Sequence, residues 1–402
     1  MRALFAVFVV FVVVFTAHPS KSAEKAQISF PDWLKELRIE ALSKGISKTT
    51  LDAALTGLKP IPRVIELDRR QPEFTWTFRK YMNKMVNDQR IKKAKKKLSE
   101  NKALLEEIGH KYGIQPRFIV AFWGLETDFG RLSKGYFPTI AALATLAHDG
   151  RRSKFFRTQL IAALKILDQG HITSKLMKGS WAGAMGHFQF IPTTFAAYAQ
   201  DYDGDGKRDI WRNKKDAYAS AANFLTKSGW KKDQTWGREV KLPKDFNFNL
   251  STMKTKKPLR AWQAMGIRRL DGTNLPQNNM QASVLVPAGA SGPAFLIYKN
   301  FRTIMAWNRS IFYGIGIGTL ADRMVGLPAI STFGPLEDQG LSFKQSVRLQ
   351  KQLIKFGFLK GNADGIIGSM TREGIRNFQS KTGLTPDGYP SHALLKRLEK
   401  GL

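Results

Sequence analysis

The sequence contains no cysteine, and this absence removes several kinds of chemistry at once. The chain can form no disulfide, use no thiolate nucleophile and offer no cysteine ligand to zinc. A lipid attached to a cysteine behind an export signal is excluded for the same reason. The absence is compatible with an oxidising compartment but does not demonstrate one.

Acidic residues are scarce: 32 Asp and Glu stand against 64 Lys and Arg, which gives a formal net charge of +32. Such an excess of positive charge favours a polyanionic binding partner, which could be nucleic acid, an anionic membrane surface or an acidic cell-wall polymer. The densest basic run, Lys92–Lys97, is typical of a solvated helix face. Because no helix-turn-helix, RNA-recognition or zinc pattern accompanies the charge, we expect no nucleic-acid partner, whereas association with a membrane surface stays open.

Long apolar runs are missing except at the start of the sequence. Arg2 precedes an apolar stretch from Ala3 to Phe15, and polar and small residues follow up to Ala23. This order is typical of a secretory signal, so we predict a signal peptide over residues 1–23 and an exported protein. The run is shorter than the ~20 residues of a membrane span, and an uncleaved anchor is the alternative.

Helical periodicity dominates the rest of the chain, whose 402 residues suffice for two or three domains. An apolar helix is predicted from Pro116 to about Gly130. Further helices are predicted over 30–58, 71–109, 139–148 and 155–169, and strands over 281–287 and 294–298. The fold class is therefore mainly α, with a small β-containing subdomain.

The C-terminal fifth of the chain differs in pattern from what precedes it. Glycine and proline without periodicity predict a linker over residues 328–340. Three helical segments separated by turns follow, over residues 341–402. We therefore predict a small three-helix module behind the linker.

Glu126 is a carboxylate inside an apolar helical pattern. Phe122 and Phe129 fall on the same helical stripe, so the Glu126 carboxyl is expected to be buried. Burial raises the pKa of a carboxyl because it penalises the charged form, and a carboxyl with a pKa of about 6 donates a proton at neutral pH. The alternative is a buried ion pair with a residue such as Arg131, while Asp128 is expected at the surface.

The segment from Ser180 to Pro192 is nearly free of charge and rich in glycine, alanine and aromatic residues. Its small residues let a backbone approach a ligand closely. Ser180 and Gln189 offer hydrogen bonds, and Met185 offers an apolar contact. The alternative is tight helix packing. A desolvated acid beside such a surface is what cleavage of a carbohydrate needs.

Three stretches, in this order along the chain, resemble the membrane-bound lytic transglycosylase B family of bacterial cell-wall enzymes. They are Glu-Thr-Asp-Phe-Gly from Glu126, Ser-Trp-Ala-Gly-Ala-Met-Gly-His-Phe-Gln-Phe-Ile-Pro from Ser180, and Asp-Tyr-Asp-Gly-Asp-Gly-Lys-Arg-Asp-Ile-Trp from Asp201. The resemblance implies a goose-lysozyme-like α-helical catalytic domain over residues 28–327, located in the periplasm. It also implies non-hydrolytic cleavage between N-acetylmuramic acid and N-acetylglucosamine at the β-1,4 bond, which leaves 1,6-anhydromuramic acid ends.

One convincing carboxylate suits this reaction, whereas hydrolytic glycosidases usually need two. A single Glu suffices if it protonates the leaving oxygen and then takes the proton of the sugar's own 6-hydroxyl. The resemblance gives this acid and base role to Glu126, and it implies no required cofactor. The alternatives are a hydrolytic lysozyme-type muramidase and a non-catalytic wall-binding or scaffold protein.

The resemblance also implies substrate contacts beyond Glu126. Ser180 matches a residue near the muramyl N-acetyl group, and Met185 and Gln189 match positions that line the cleft. Trp307 stands where relatives have Tyr, which leaves a hydroxyl contact there in doubt. Asn308 and Tyr313 match polar groups near the acid. Arg151 and Arg152 match a basic pair in the glycan cleft, and Tyr81 is a weaker match on the far wall of that cleft.

Acidic residues alternate from Asp201 in a pattern typical of a calcium-binding loop, with glycine at the sixth position. Arg212, at the twelfth position, departs from the standard loop. Asp216 either closes the site or caps the next helix, so a structural Ca²⁺ and a metal-free loop are both open. The predicted ligands are Asp201, Asp203, Asp205, the carbonyl of Lys207, Asp209 and Asp216.

The C-terminal module, residues 341–402, resembles the peptidoglycan-binding domain 1 family. The likeness rests on spaced motifs that include Asp364-Gly, Phe378-Gln and Asp387-Gly. The resemblance implies turns that hold the helices and a groove that binds the wall; an unspecialised helical bundle is the alternative. We therefore expect peptidoglycan glycan strands as the partner of a monomeric protein.

Overall fold

The computed structural model describes residues 28–69, 76–336 and 339–401, so the predicted signal peptide lies outside the described residues. No helix in these ranges has the length and apolar character needed to cross a membrane. In chain order the helices are α1 (Phe30–Ser43), α2 (Lys48–Leu55), α3 (Pro62–Arg69), α4 (Phe78–Met85), α5 (Asp88–Glu100), α6 (Lys102–Tyr112), α7 (Pro116–Thr127), α8 (Thr139–His148), α9 (Ser153–Asp168), α10 (Pro192–Tyr198), α11 (Lys214–Lys227), α12 (Leu259–Ala264), α13 (Lys299–Trp307), α14 (Ile311–Met324), α15 (Phe343–Lys355), α16 (Ser369–Lys381) and α17 (His392–Lys400). The strands are β1 (Phe137–Pro138), β2 (Lys178–Gly179), β3 (Gly237–Lys241), β4 (Lys257–Pro258), β5 (Arg268–Arg269), β6 (Gln281–Leu285) and β7 (Ala294–Ile297).

The mainly α fold class is confirmed, but two long predicted helices are divided. The prediction of one helix over 30–58 is wrong because Gly45 adopts φ +80° and Ser47 caps α2 by accepting a hydrogen bond from Thr50 N. The prediction over 71–109 is wrong in the same way. Asn87 accepts a hydrogen bond from Arg90 N at 2.9 Å at the start of α5, and Asn101 stands at the N-cap position of α6. Short polar side chains favour caps over helix interiors.

The first of two compact units comprises, in its described part, residues 28–69 and 96–228. Helix α7 is buried from Phe118 to Thr127, and α8 is buried along nearly its whole length. Helix α8 packs against α9 and α3, while α6 packs against α7 and α11. The helix that carries Glu126 therefore forms part of the core of this unit.

The second unit comprises, in its described part, residues 76–95, 229–336 and 339–401. Its five strands form an antiparallel sheet in the order β4-β6-β7-β3-β5. The predicted strands over 281–287 and 294–298 are confirmed as β6 and β7, which pair with Val284 opposite Leu296. The sequence did not reveal β3, because charged residues flank its one inward side chain, Val240. The sheet packs on a core that includes Leu259, Trp262 and Ile267.

The C-terminal module has the three predicted helices, α15 to α17, around a core that includes Leu349 and Phe378. The buried side chain of Gln350 holds the Asp364–Gly365 turn, since it donates to Asp364 Oδ1 at 2.8 Å and accepts from Gly365 N at 2.6 Å. Gln379 holds the Asp387–Gly388 turn in the same way. These side chains explain how a module of about sixty residues fixes its turns without a disulfide.

The predicted linker is tied to the second unit along part of its length. Ser331 donates to the carboxylate of Glu239 through both its backbone N and its Oγ. Arg79 donates to the carbonyl oxygens of Gly334 and Pro335. Burial raises the pKa of Glu239, while the hydrogen bonds from Ser331 oppose that rise. The segment 331–335 is therefore held in place.

Candidate active site

Backbone strain marks the two motifs that the sequence singled out. Three residues other than glycine have a positive φ in the described part of the chain: Asp128 (50°), Phe129 (59°) and Gln189 (52°). Each such conformation costs about 1–3 kcal/mol and persists only where the surroundings impose it. All three lie directly after α7 or within residues 180–192, so the strain supports these two segments as one candidate site.

Glu126 lies in the last turn of α7 and is 4% exposed, as its position on the apolar stripe predicts. The helix ends one residue later, where Asp128 turns into the left-handed region. Arg131, considered as an ion-pair partner of Glu126, donates through Nε to Asp128 Oδ2 at 2.6 Å. Asp128, expected at the surface, is half-buried in the structure.

Ser180 organises the start of the second segment. Its Oγ accepts hydrogen bonds from Ala182 N at 3.2 Å and Ala184 N at 3.1 Å, and its backbone N donates to Ala184 O at 2.8 Å. Among the described residues, no acceptor receives the Ser180 hydroxyl hydrogen. The side chain thus shapes a tight turn and keeps one donor for another molecule.

Gln189 and Met185 differ in what they can offer a ligand. Gln189 Nε2 donates to Gly186 O at 3.1 Å, whereas its buried Oε1 has no hydrogen-bond partner within the described ranges. A buried acceptor left open in this way is costly unless a ligand or water satisfies it. Met185 is fully buried and bridges Gly179 and Phe190 through its backbone, so it supports the segment from behind.

The glycines of this segment are explained by internal packing. A Cβ at Gly183 would lie 2.5 Å from Leu143 Cδ2, and a Cβ at Gly186 would lie 2.5 Å from the carbonyl oxygen of Ile210. Both residues also adopt a positive φ. The packing interpretation therefore accounts for these two positions without any ligand.

His187 joins the two motifs, and the sequence did not single it out. Trp123 Nε1 donates to His187 Nδ1 at 2.9 Å, and Thr127 Oγ1 donates to His187 O at 2.8 Å. Burial lowers the pKa of His187 to about 4; Lys214 lowers it further and Asp209 opposes the shift. A histidine inside an otherwise uncharged, small-residue segment was the signal that could have revealed it.

Acid should destabilise the protein through His187. Because its pKa falls from 6.5 to about 4 on folding, the unfolded chain takes up a proton first as the pH drops. The free energy of unfolding is therefore unaffected by His187 protonation above pH 6.5. It falls by about 3 kcal/mol as the pH drops towards about 4. Urea unfolding across this window should show a smaller loss in His187→Asn than in the parent. An equal loss in both proteins would contradict the assignment.

The predicted basic pair is anchored on an acid that the sequence analysis did not identify. Arg151 Nη1 donates to Asp68 Oδ2 at 2.8 Å and to Asp68 O at 2.6 Å, and Arg152 donates to Asp68 Oδ1. Asp68 is 2% exposed, while the Arg151 side chain is about half exposed. The buried carboxylate fixes both guanidinium groups and partly neutralises them.

Tyr81, Asn308 and Tyr313 lie in the second unit. Asn308 Oδ1 accepts a hydrogen bond from Ser310 N at 2.9 Å, and its buried Nδ2 has no partner in the part of the chain described. Tyr313 is buried in the first turn of α14, and Tyr81 packs against Phe312 with ring centroids 5.8 Å apart. Trp307 is buried as well.

The structure gathers four of the predicted metal ligands. Oxygen atoms of Asp201, Asp203, Asp205 and Asp216 lie within 4.8 Å of one another. Burial raises the pKa of Asp216, its bonds from Tyr202 N and Asp209 N oppose the rise, and the charges of Asp203 and Asp201 add to it. Four oxygens around one point, three of them on exposed residues, suit a calcium ion.

The remaining loop residues have other roles. Asp209 accepts hydrogen bonds from Trp211 N, Arg212 N and Arg212 Nε, and it is not among the clustered carboxylates. Lys207 is exposed, and its backbone N donates to Asp205 Oδ1. The helix α11 begins at Lys214 with Asn213 as its cap, so the alternative of Asp216 as the cap is wrong.

Comparison with protein families gives two matches. A model of the transglycosylase SLT domain matches residues 29–322. A model of a peptidoglycan binding domain matches residues 344–398.

Individual proteins similar to this chain include cell-wall enzymes of two bacteria. Membrane-bound lytic murein transglycosylase B of Escherichia coli (strain K12) is 29% identical over 298 residues, which is 70% of this chain and 79% of that protein. SltB3 of Pseudomonas aeruginosa, determined in complex with NAG-anhNAM-pentapeptide, is 46% identical with a TM-score of 0.88, over 92% of this chain and 99% of that chain. The Escherichia coli lytic transglycosylase SLT35, determined with calcium, is 27% identical with a TM-score of 0.62, over 73% of this chain and 92% of that one.

Proposed function

Because this chain belongs to the transglycosylase SLT domain family and is a lytic transglycosylase, a lyase that cleaves peptidoglycan, we propose that Glu126 is its single general acid and base. The observation that carries the proposal is the burial of Glu126 at the end of α7, directly before the strained turn at Asp128 and Phe129. A single carboxyl at this place can give a proton to the glycosidic oxygen and then take one back, as general acid–base catalysis requires.

The other buried carboxylates of the described residues have structural partners. Asp68 is paired with Arg151 and Arg152, Asp209 with Arg212, and Asp322 with Arg238. Asp216 accepts hydrogen bonds from two backbone N–H groups of the acidic loop. These roles leave no second buried carboxylate in the described ranges to activate water, which favours cleavage without hydrolysis.

The reaction then proceeds in two proton transfers through Glu126. The carboxyl first gives its proton to the glycosidic oxygen, and the bond from that oxygen to C1 of the muramic acid breaks. The carboxylate next takes the proton of the 6-hydroxyl of the same sugar, whose oxygen forms the new bond to C1. The product is a 1,6-anhydromuramic acid end. The anhydro sugar bound by the similar Pseudomonas aeruginosa protein supports this outcome.

Substrate contacts follow from the open polar groups. The Ser180 hydroxyl hydrogen offers a donor to the muramyl N-acetyl group, and Gln189 Oε1 offers an acceptor in the same segment. We assign Met185, Arg151 and Arg152 to support or line the cleft in the first unit. In the second unit we assign substrate contacts to Asn308, whose Nδ2 is an open donor, and to Tyr313 and Tyr81.

The location of action is the peptidoglycan of the periplasm. A family match to a peptidoglycan binding domain over α15–α17 and the membrane-bound Escherichia coli relative support this placement. We propose that residues 28–327 carry catalysis, that residues 341–402 hold the enzyme on the wall, and that residues 1–23 direct export. The net charge of +32 supports contact with an anionic wall or membrane surface.

Digestion of purified sacculi tests this function. The parent protein should release soluble muropeptides, and a chain ending at residue 327 should release fewer from sacculi because it is held less well. A protein that binds sacculi without releasing muropeptides would instead be a non-catalytic wall-binding scaffold. Equal pull-down of both proteins by sacculi would contradict the binding role of the C-terminal module.

We further propose that Asp201, Asp203, Asp205 and Asp216 hold a structural Ca²⁺. Their mutual approach brings four carboxylates together, and a divalent cation would relieve the repulsion between them. Burial raises the pKa of Asp216, and the charges of Asp203 and Asp201 add to that rise. The similar SLT35 structure contains calcium. The ion would fix the loop ahead of α11 and has no part in the proton transfers.

Calcium should raise the thermal unfolding temperature of the parent, and chelation should reverse the rise. Binding at a hundredfold excess over Kd stabilises the folded state by about 2.7 kcal/mol. Asp203→Asn should remove most of the rise, whereas Asp245→Asn, an exposed acid outside the loop, should keep it. Thermal unfolding followed by circular dichroism measures this. A parent that does not respond to calcium would exclude the site.

A further inference from the structure

We propose that His187 is a positioning residue for Glu126, because its uncharged ring joins the helix that carries the acid to the segment that carries Gln189. This inference rests on the proposed function of Glu126. It assigns to His187 no contact with substrate and no proton transfer.

The residues that contact His187 lie on both sides of Glu126 in the sequence. Trp123, three residues before Glu126, donates to His187 Nδ1 at 2.9 Å. Thr127, directly after Glu126, donates to His187 O at 2.8 Å. Gly130 lies so close that a Cβ there would come within 2.6 Å of His187 Cε1. Residues on both sides of Glu126 are thus held by His187, Trp123 through the ring and Thr127 through the backbone carbonyl.

The bond from Trp123 also fixes the tautomer of the ring. An indole N–H only donates, so Nδ1 must accept and the ring proton must be on Nε2. Burial lowers the pKa of His187 to about 4. The charged groups that face it are Lys214, which lowers the pKa further and whose Nζ lies 5.7 Å from the Trp123 ring, and Asp209, which opposes the shift. The ring therefore stays neutral and accepts at the pH of the wall.

His187 is itself part of the segment from Ser180 to Pro192, here called the substrate segment, and its backbone fastens that segment to Ile210. His187 N donates to Ile210 O at 2.9 Å, and two residues later Gln189 adopts its strained conformation with Oε1 open. Loss of the ring acceptor would leave the Trp123 N–H unsatisfied in the core, and α7 and this segment would be free to shift. A displacement of about 1 Å at reacting groups costs about a hundredfold in rate.

Steady-state kinetics on a soluble glycan fragment test the role with two variants. His187→Leu removes the acceptor, whereas His187→Asn places an amide oxygen at the position of Nδ1. We expect kcat to fall at least about tenfold in His187→Leu with KM little changed, and to recover largely in His187→Asn. Trp123→Phe removes the same bond from the other side. The double variant with His187→Leu should be no slower than the slower single variant.

A matched stability control separates positioning from folding. Leu37→Ala opens a cavity in the core at α1 and should lower the unfolding temperature while kcat stays near the parent value. Three results would each overturn the proposal. The first is a parental kcat in His187→Leu, and the second is an equal fall in kcat in Leu37→Ala. The third is a double variant whose loss in kcat is the product of the losses in the two single variants. Glu126→Gln is measured alongside: if that variant keeps activity, it is the proposed function that fails.

Discussion

Replacement of Glu126 by Gln is expected to abolish the release of muropeptides from sacculi. The amide keeps the shape of the side chain but can neither give a proton to the glycosidic oxygen nor take one from the 6-hydroxyl. General acid–base catalysis contributes about 10²–10⁴-fold, and here both steps use one group, so we expect a loss of at least about 10³-fold. Chromatography of soluble products measures the effect.

Asp128→Asn is the matched control for this prediction. The same change of acid to amide is made two residues away, at a position where Asn tolerates the left-handed conformation. It weakens the partly exposed ion pair with Arg131, and a pair of this kind is worth about 0–1 kcal/mol. The account predicts an active Asp128→Asn protein. Near-parental turnover by Glu126→Gln would show that another group is the acid.

Replacement of Gly186 by Ala should cost more stability than any other conservative change in the substrate segment. Its φ of +68° already disfavours a side chain, and the new Cβ would lie 2.5 Å from the carbonyl oxygen of Ile210, which belongs to the backbone. Left-handed strain costs about 1–2 kcal/mol, and the clash adds about 1–3 kcal/mol. Gly186 O also accepts from Gln189 Nε2, so turnover should fall with stability.

Gly57 offers a control with nearly the same backbone conformation. Its φ is +69°, and nothing lies within 4 Å of where a Cβ would stand. Gly57→Ala should therefore show only the conformational cost and retain activity. Urea unfolding of both variants measures the difference, which we attribute to the contact with Ile210. If the two variants lose equal stability, the close approach of Gly186 to that carbonyl is not what requires glycine.

Local pattern was sufficient to predict the burial of Glu126. Helical spacing put it on a stripe with Phe122 and Phe129, and in a helix three- and four-residue spacing determines the face. The same periodicity failed at Gly45 and Asn87, because it has no information on where caps interrupt a continuous amphipathic pattern. Helix existence was predictable, while helix boundaries depended on single polar residues and glycines.

The roles of His187 and Asp68 could not be predicted from the sequence, because their hydrogen-bond partners lie far away along the chain. His187 bonds to Trp123 across 64 positions, and Asp68 holds Arg151 across 83, so no local spacing connects them. Asp209 lies outside the cluster of four carboxylates for a local reason. The loop pattern predicted it as a ligand, but Arg212, three residues later, offers a guanidinium and an N–H that satisfy it first.

The chemistry of the new glycan ends distinguishes cleavage by Glu126 alone from hydrolysis, since one carboxyl without an activated water must yield an internal ether. Sacculi digested by the parent protein in heavy-oxygen water can be analysed by mass spectrometry. The account predicts muropeptides that end in 1,6-anhydromuramic acid, one water lighter than reducing ends and free of the label. Reducing muramic acid ends that carry heavy oxygen would show hydrolysis, and with it a second catalytic group beside Glu126.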